Sequence, residues 1–313
     1  MANFAPTAMA AAIARDVLCF PVTHMSETLD FEEDPYRAHV DWMLRAGPAG
    51  VFAAGGTGEF FSLTPDEVEE VTRAAVATVR GRVPVIAGAG YGTAIATDLA
   101  KRAERAGADA ILLLPPYLLN ASQAGLMAHV EAVCRATGIG VIVYNRDNAI
   151  LEADTVARLC ERCPNLVGLK DGVGDIELMV RTRNLLGERL VYLGGLPTAE
   201  TFARPYLAMG VATYSSALLN FFPNFARGFY RAVRAEDVGA IEAGLRDFVL
   251  PYTAIRNRGR GYAVSIVKAG VRIAGRPAGP VRPPLTELDA KSYADLQALM
   301  EKQGDRAPGS PGD

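Results

Sequence analysis

The feature that most constrains the fold is an alternation, repeated between residues 16 and 235, of a short apolar run with a longer segment of helical spacing. This pattern is typical of βαβ units around a parallel sheet. Runs such as VPVIAG and DAILLLPP are almost continuously apolar, as strands covered on both faces should be. The predicted strands span residues 17–22, 50–54, 83–87, 110–114, 140–144, 166–170, 190–193 and 211–214.

Eight such units favour a closed barrel over an open sheet. We therefore predict an α/β fold, a (β/α)8 TIM barrel catalytic domain over residues 1–235 with a C-terminal helical extension over residues 236–303 packed on the barrel. The sequence TPDE at residues 64–67 predicts the start of a helix, with a capping box and proline at the first helical position. Residues 304–313 have too few apolar side chains to be buried, which predicts a disordered tail.

Composition and charge exclude several classes of partner. The formal net charge is −3 and no run of Lys or Arg occurs, which argues against nucleic acid as a partner. No stretch of 18 apolar residues occurs, so we expect no membrane span. The N-terminal residues lack the pattern of a secretory signal, so we expect a cytoplasmic protein.

The sequence offers no strong pattern for a metal or a cofactor. Cys160 and Cys163 form a C-x-x-C on a predicted helix, but no second pair accompanies them. The glycines of residues 88–92 lack the G-x-G-x-x-G spacing of a dinucleotide-binding loop. The histidines are isolated from one another in the sequence: His24, His39 and His129. We therefore expect neither metal nor cofactor.

A lysine in the sixth predicted strand is the first candidate for chemistry, because barrel active sites lie at the carboxyl ends of the strands. In LVGLKDG, strand alternation places Leu166, Gly168 and Lys170 on one face and Asp171 on the other. If the first face is the barrel interior, burial lowers the pKa of Lys170 and leaves some free amine to attack a ketone. The strand alone leaves open a lysine that reaches solvent or pairs with Asp171 or Glu59.

Two further segments supply candidates at the same rim. Tyr144 ends the fifth predicted strand and could relay protons, although a tyrosine at such a position is more often a packed aromatic. Arg146 could grip a carboxylate with two hydrogen bonds or be a solvated loop arginine. In GGTGEFFSLTP, the amides around Gly56 and Thr57 could bind an anion, or the glycines could only form a tight turn.

Together these segments resemble the dihydrodipicolinate synthase and N-acetylneuraminate lyase family of class I aldolase barrels. The matching motifs are GTGE at residues 56–59, the pair Tyr144-Asn145 and GLKD at residues 168–171, and the likeness covers nearly the whole chain. The resemblance implies Lys170 as Schiff-base nucleophile, Tyr144 as proton relay, and a loop that binds the 2-keto carboxylate through Gly56 and Thr57. It also implies a homotetramer built from two dimers.

Two departures from the synthase motifs narrow the choice within the family and argue against synthase activity. The synthases have two threonines where this chain has Gly56 and Thr57, and a double tyrosine where it has Tyr117 and Leu118. The segments GEFFSLTPDE, YNRDNA, GGLPTAE and YSSALLNFFP are similar to a branch that converts a six-carbon keto diacid to 2,5-dioxopentanoate, water and carbon dioxide in D-glucarate and galactarate breakdown.

For such a diacid substrate we expect Gly56 and Thr57 at the near carboxylate and either Arg146 or Ser215 at the far one. Gly195, in GGLPTAE, completes the predicted substrate-binding residues. The alternative functions are a pyruvate-dependent class I aldolase or dihydrodipicolinate-type synthase, and a barrel without catalytic activity that senses a keto acid.

Overall fold

The eight predicted strands form one closed parallel barrel. The structure is a computed structural model and describes residues 2–118 and 120–308. The strands follow one another round the barrel in chain order, and β8 pairs with β1 through Leu18 and Ser215. The prediction of a (β/α)8 barrel is confirmed. The strands are β1 (Leu18–Cys19), β2 (Val51–Ala53), β3 (Val85–Ala89), β4 (Ala110–Leu113), β5 (Gly140–Asn145), β6 (Leu166–Asp171), β7 (Val191–Gly194) and β8 (Thr213–Ser216).

Helices connect successive strands and cover the outside of the barrel, as βαβ topology requires. The helix after β2 begins as the sequence predicts. The Thr64 hydroxyl accepts from the Glu67 amide at 3.2 Å, and the Glu67 carboxylate accepts from the Thr64 amide at 2.8 Å. A further helix, α1 (Pro6–Ile13), precedes β1. In chain order the helices that follow the strands are α2 (Glu33–Leu44), α3 (Pro65–Val79), α4 (Thr93–Ala106), α5 (Gln123–Ala136), α6 (Ala153–Arg162), α7 (Ile176–Leu186), α8 (Ala203–Ala208) and α9 (Pro223–Arg234).

Apolar side chains form two clusters, one inside the barrel and one between the strands and the helices. The inner cluster includes Phe20, Phe52 and Ile142, and Met9 and Ile13 of α1 also belong to it. A register shift between β5 and β6 changes the predicted alternation at the start of β6. Because one extra residue is inserted there, Leu166 lies in the outer cluster and not on the inner face that the sequence predicted for it.

The C-terminal extension is helical and packs against the barrel. It contains α10 (Val238–Gly244), a π-helical turn (Leu245–Val249), α11 (Leu250–Arg256), α12 (Tyr262–Ile273) and α13 (Ala290–Gln303). The predicted boundary at residue 235 lies in the turn between α9 and α10.

The chain after α13 returns to the barrel. The Asp305 carboxylate accepts from the amide of Phe225 in the first turn of α9 at 2.9 Å. Within the predicted disordered tail, residues 309–313 lie outside the described residues, so the tail remains a prediction. Across the described residues, no helix is both long and apolar enough to cross a membrane.

Candidate active site

A cavity of about 450 Å³ opens at the carboxyl ends of the strands, where the active sites of barrel enzymes lie. We refer to it as the barrel-mouth cavity. Its walls come from the loops after the strands and from α11 and α12 of the extension. All the residues that the sequence predicts for the site line it: Gly56, Thr57, Tyr144, Arg146, Lys170, Gly195 and Ser215.

Lys170 points into the barrel and is almost completely buried, with 4% of its surface exposed. Its Nζ lies 4.2 Å from the ring centroid of Phe20 and 4.3 Å from that of Tyr144. It forms no ion pair with a described carboxylate. Burial lowers the pKa of Lys170 to about 7, and the positive charge of Arg146 acts in the same direction. A substantial fraction of the side chain is therefore free amine near neutral pH.

The two acids that could pair with Lys170 on sequence grounds contact other groups. Asp171 lies on the opposite face of β6 and accepts from the Tyr206 hydroxyl at 2.7 Å and the Val173 amide at 3.0 Å. Glu59 lies 2.6 Å from Nζ of Lys268. The possibility that Lys170 forms a structural ion pair with either acid is therefore wrong, and its amine is left without a counter-ion among the described residues.

Tyr144 pairs with Lys170 across β5 and β6, so both side chains point the same way. Its hydroxyl donates to the Gly195 carbonyl at 2.7 Å and accepts from Nη1 of Arg146 at 3.2 Å. Burial raises the pKa of Tyr144, and the charge of Arg146 opposes that rise. The hydrogen bond from Arg146 stabilises the phenolate form of Tyr144. Tyr144 can therefore both donate and accept a proton beside the amine of Lys170.

Gly195 lies where a larger residue would collide with the lysine. A Cβ at this position would lie 2.6 Å from Cε of Lys170 and 2.8 Å from the Asp171 carbonyl oxygen. Its amide donates to that carbonyl at 2.7 Å, which continues the β6–β7 pairing. A glycine here therefore leaves room for the lysine and still fixes the backbone carbonyl that Tyr144 contacts.

The loop after β2 forms a candidate anion site. The Glu59 amide donates to the Gly56 carbonyl at 3.2 Å, and Glu59 itself adopts the left-handed conformation with a φ of 59°. The amides of Gly56 and Thr57 donate to no group within the described part of the chain, and both residues line the cavity. Such free amides at a turn can receive a carboxylate.

Several residues that line the cavity are not predicted by any sequence pattern. Tyr252 and Arg256 come from α11, and Thr198 comes from the loop after β7. Thr198 has a φ of 53°, a conformation that is rare for a β-branched residue. No periodicity or spacing in the sequence connects these residues to Lys170, because only the packing of the extension brings them to the barrel mouth.

The described residues contain no cluster of three His, Cys, Asp or Glu side chains that could hold a metal ion. His24 lies away from the cavity, and its Nε2 donates to the Pro277 carbonyl oxygen at 2.7 Å. Burial lowers the pKa of His24 to about 4 and that of His39 to about 3, so both are neutral near pH 7. Cys160 and Cys163 are free thiols.

The chain is similar to known proteins over nearly its whole length. Residues 14–303 match the dihydrodipicolinate synthetase family. The chain belongs to this family. A protein of Bradyrhizobium sp. strain BTAi1 named probable 5-dehydro-4-deoxyglucarate dehydratase is 63% identical over 301 residues, which are 96% of each chain. A protein of Ralstonia nicotianae with the same name is 60% identical over 305 residues, 97% of this chain and 98% of the relative.

Solved structures share the fold of this family member. The dihydrodipicolinate synthase of Bacillus clausii superposes with a TM-score of 0.86 at 26% identity, over 94% of this chain and 99% of that one. YagE of E. coli K12, a prophage protein of the dihydrodipicolinic acid synthase family in complex with pyruvate, gives a TM-score of 0.82 at 25% identity. That match covers 92% of this chain and 98% of YagE.

Proposed function

We infer that this protein is a 5-dehydro-4-deoxyglucarate dehydratase, a lyase that converts the keto diacid to 2,5-dioxopentanoate, water and carbon dioxide. The observation that carries the inference is a buried lysine with a pKa of about 7 and no counter-ion in a cavity at the barrel mouth. Relatives of that name are about 60% identical to the chain over nearly its whole length.

The first step forms a Schiff base. The free amine of Lys170 attacks the keto carbon and gives a carbinolamine, whose hydroxyl leaves as water when Tyr144 donates its proton. The products of this step are the iminium on Lys170 and the Tyr144 phenolate. The donation from Arg146 to the Tyr144 oxygen stabilises that phenolate.

The second step eliminates the hydroxyl group that lies two carbons from the iminium carbon. The iminium withdraws electrons, so the phenolate of Tyr144 can take a proton from the adjacent methylene. The next carbon loses its hydroxyl as water, with the proton returned by Tyr144, and a double bond conjugated with the iminium remains.

The third step releases carbon dioxide. The bond from the distal carboxylate to its neighbouring carbon breaks, and its electron pair passes through the conjugated double bond to the iminium nitrogen. Protonation of carbon and hydrolysis by water then release 2,5-dioxopentanoate and regenerate the amine of Lys170. Overall one proton is consumed, because the substrate is a dianion and the organic product a monoanion.

The substrate carboxylates need separate binding groups. We assign the near carboxylate to the amides of Gly56 and Thr57 and to the Thr57 hydroxyl, with Gly195 beside the reacting carbon. Arg146 and Ser215 are the groups that the sequence predicts for the distal carboxylate, and both line the cavity. Arg146 already contacts Asp147 at 3.2 Å, which supports a role on Tyr144 more than one on the substrate.

We also propose a cellular compartment, a pathway and an oligomeric state. The enzyme acts in the cytoplasm in D-glucarate and galactarate breakdown and assembles as a homotetramer, a dimer of dimers. Family membership supports the assembly, and so do two large apolar residues exposed at the cavity mouth, Tyr117 and Leu118. Light scattering of the purified protein measures the number of subunits.

The function is tested by turnover and by trapping. Purified protein is incubated with 5-dehydro-4-deoxyglucarate, and carbon dioxide, 2,5-dioxopentanoate and pyruvate are measured. We expect carbon dioxide and 2,5-dioxopentanoate in equal amounts, whereas an aldolase would release pyruvate. Borohydride added with pyruvate should label Lys170 in peptide mass maps, and Lys170→Arg should abolish both label and turnover. A keto-acid sensor would show no turnover and need not become labelled at Lys170.

A further inference from the structure

Arg256 and Thr198 form a polar pair on the wall of the barrel-mouth cavity. Arg256 is the last residue of α11, and Thr198 follows β7. Nη1 of Arg256 donates to the Thr198 hydroxyl at 2.5 Å, and both residues line the cavity that contains Lys170. The arginine reaches the site from the extension, so it is positioned by packing between the two parts of the chain.

The charge of Arg256 is not neutralised by a described carboxylate. Its remaining acceptor is the neutral Oδ1 of Asn257, at 3.1 Å from Nε and 2.9 Å from Nη2. Arg146, the other arginine of the cavity, is paired with Asp147. A partly buried cation without a counter-ion is unfavourable unless a ligand supplies one, and burial accordingly lowers the pKa of Arg256.

Arg256 has donors left over for a ligand. A guanidinium has five N–H groups. Three of them are used in the contacts with Thr198 and Asn257, which leaves one on each terminal nitrogen. N–H groups on both terminal nitrogens of an arginine can bind a carboxylate with charge-assisted hydrogen bonds.

The charges of the cavity suit a substrate with two carboxylates. The basic side chains that line it are Lys170, Arg146 and Arg256, and Asp147 is the only acid among the described lining residues. The anion site at Gly56 lies after β2, whereas Thr198 lies after β7, three strands away round the barrel. The cavity therefore has anion-binding groups on two different sides.

We propose that Arg256, oriented by Thr198, binds the distal carboxylate of the keto diacid and so selects diacids over keto acids with an uncharged end. The inference rests on the proposed function. Thr198 holds a strained backbone conformation, as residues at ligand sites often do. Because this carboxylate leaves as carbon dioxide, the contact exists with the substrate and is absent with the product, which favours product release.

Two keto acids of equal chain length test the proposal. 2-Oxoadipate has a carboxylate at its far end and 2-oxohexanoate has a methyl group there, and neither carries a hydroxyl that could be eliminated. The measurement is the concentration of each acid that half-saturates borohydride labelling of Lys170, read by intact mass. The native protein should prefer 2-oxoadipate.

In Arg256→Leu the half-saturating concentration of 2-oxoadipate should rise about 100-fold, because a desolvated charge pair is lost. That of 2-oxohexanoate should stay within about threefold, because no charged contact is removed. Thr198→Val replaces the hydroxyl with a methyl group of similar size and should weaken the preference in the same direction. Arg258→Leu is the matched control, since Arg258 pairs with Asp295 and does not line the cavity. It should keep the native preference.

Labelling by pyruvate reports whether each variant still folds, because pyruvate has no distal carboxylate. Where Arg256→Leu does not fold, Arg256→Gln replaces it with the same expectation. A folded Arg256 variant that retains the native preference for 2-oxoadipate overturns the proposal. Failure of the proposed function gives a different result, in which the native protein releases no carbon dioxide from 5-dehydro-4-deoxyglucarate whatever its preference between the two test acids.

Discussion

Lys170 shows at the residue scale how reactivity and stability oppose each other. The chain buries a side chain that prefers to be charged among the rings of Phe20 and Tyr144. Its ordinary pKa of 10.5 falls to about 7, and the same loss of hydration that creates the free amine disfavours the folded state. Lys170 on the inner face of β6 thus supplies a reactive amine and reduces the stability of the fold.

Replacement of this lysine should therefore stabilise the protein in a pH-dependent way. The folded-state pKa is lower than the unfolded one, so the unfolded chain binds more protons between about pH 7 and 10.5, and the stability of the native protein rises with pH across that window. Lys170→Met removes this dependence. We expect a gain of a few kcal/mol in unfolding free energy below pH 7 that shrinks toward pH 10.5.

Urea denaturation of both proteins at pH 6 and at pH 9.5 measures the gain. The variant should be inactive at either pH, because no other amine replaces Lys170 in the cavity. A gain of equal size at the two pH values would show that the substitution acts through packing alone and that the amine is not titrating near neutrality.

At the scale of elements, a buried ion pair holds the loop after β2 against α12. Glu59 and Lys268 are both fully buried, and Nζ of Lys268 lies 2.6 Å from the Glu59 carboxylate. The second oxygen of Glu59 accepts from the Arg282 amide at 3.0 Å. The glutamate directly follows the anion loop that contains Gly56 and Thr57. The extension therefore braces the loop that we propose as the binding site of the near carboxylate.

Removing the cation alone should be strongly destabilising. Lys268→Met leaves Glu59 buried without a counter-ion, which we expect to lower the unfolding free energy by about 3–5 kcal/mol. The double variant Glu59→Gln with Lys268→Met removes both charges and should be less destabilised than the sum of the single variants. Urea denaturation of the native protein, the two single variants and the double variant measures this coupling, and simple additivity would contradict the role assigned to the pair.

At the scale of the whole molecule, the barrel and the extension pack together through a common apolar core. Side chains of α11 and α12 belong to the same apolar cluster as those of the barrel helices. The guanidinium of Arg276 lies over the ring of Trp42 in α2, 4.4 Å from its centroid. The extension also supplies part of the cavity wall. The cavity is therefore complete only when both parts are docked.

We expect barrel and extension to unfold together. Trp42 is the only tryptophan of the chain, and its ring is covered from the extension, so its fluorescence reports on docking. Far-ultraviolet circular dichroism reports on all the helices. The two signals should give coincident urea transitions, as a single cooperative unit requires. A fluorescence transition at lower urea than the loss of circular dichroism would show that the extension separates first.

The barrel fold and the positions of Lys170 and Tyr144 could be predicted from the sequence because both depend on local patterns. Apolar runs and helical spacing are properties of neighbouring residues, and eight repeats of them specify a barrel. A lysine near the end of the sixth strand can be located by the same counting. The likeness of GTGE, the Tyr144-Asn145 pair and GLKD to family motifs then indicated the chemistry.

What the sequence by itself determined is the order of strands and helices and the strand positions of Lys170 and Tyr144. Only the tertiary structure decided that Leu166 turns outward at the register shift, that Glu59 pairs with Lys268, and that Arg256 reaches the cavity. The reason is physical. Strand and helix periodicity is fixed over a few neighbouring residues, whereas these contacts join distant segments and exist only once the extension packs on the closed barrel.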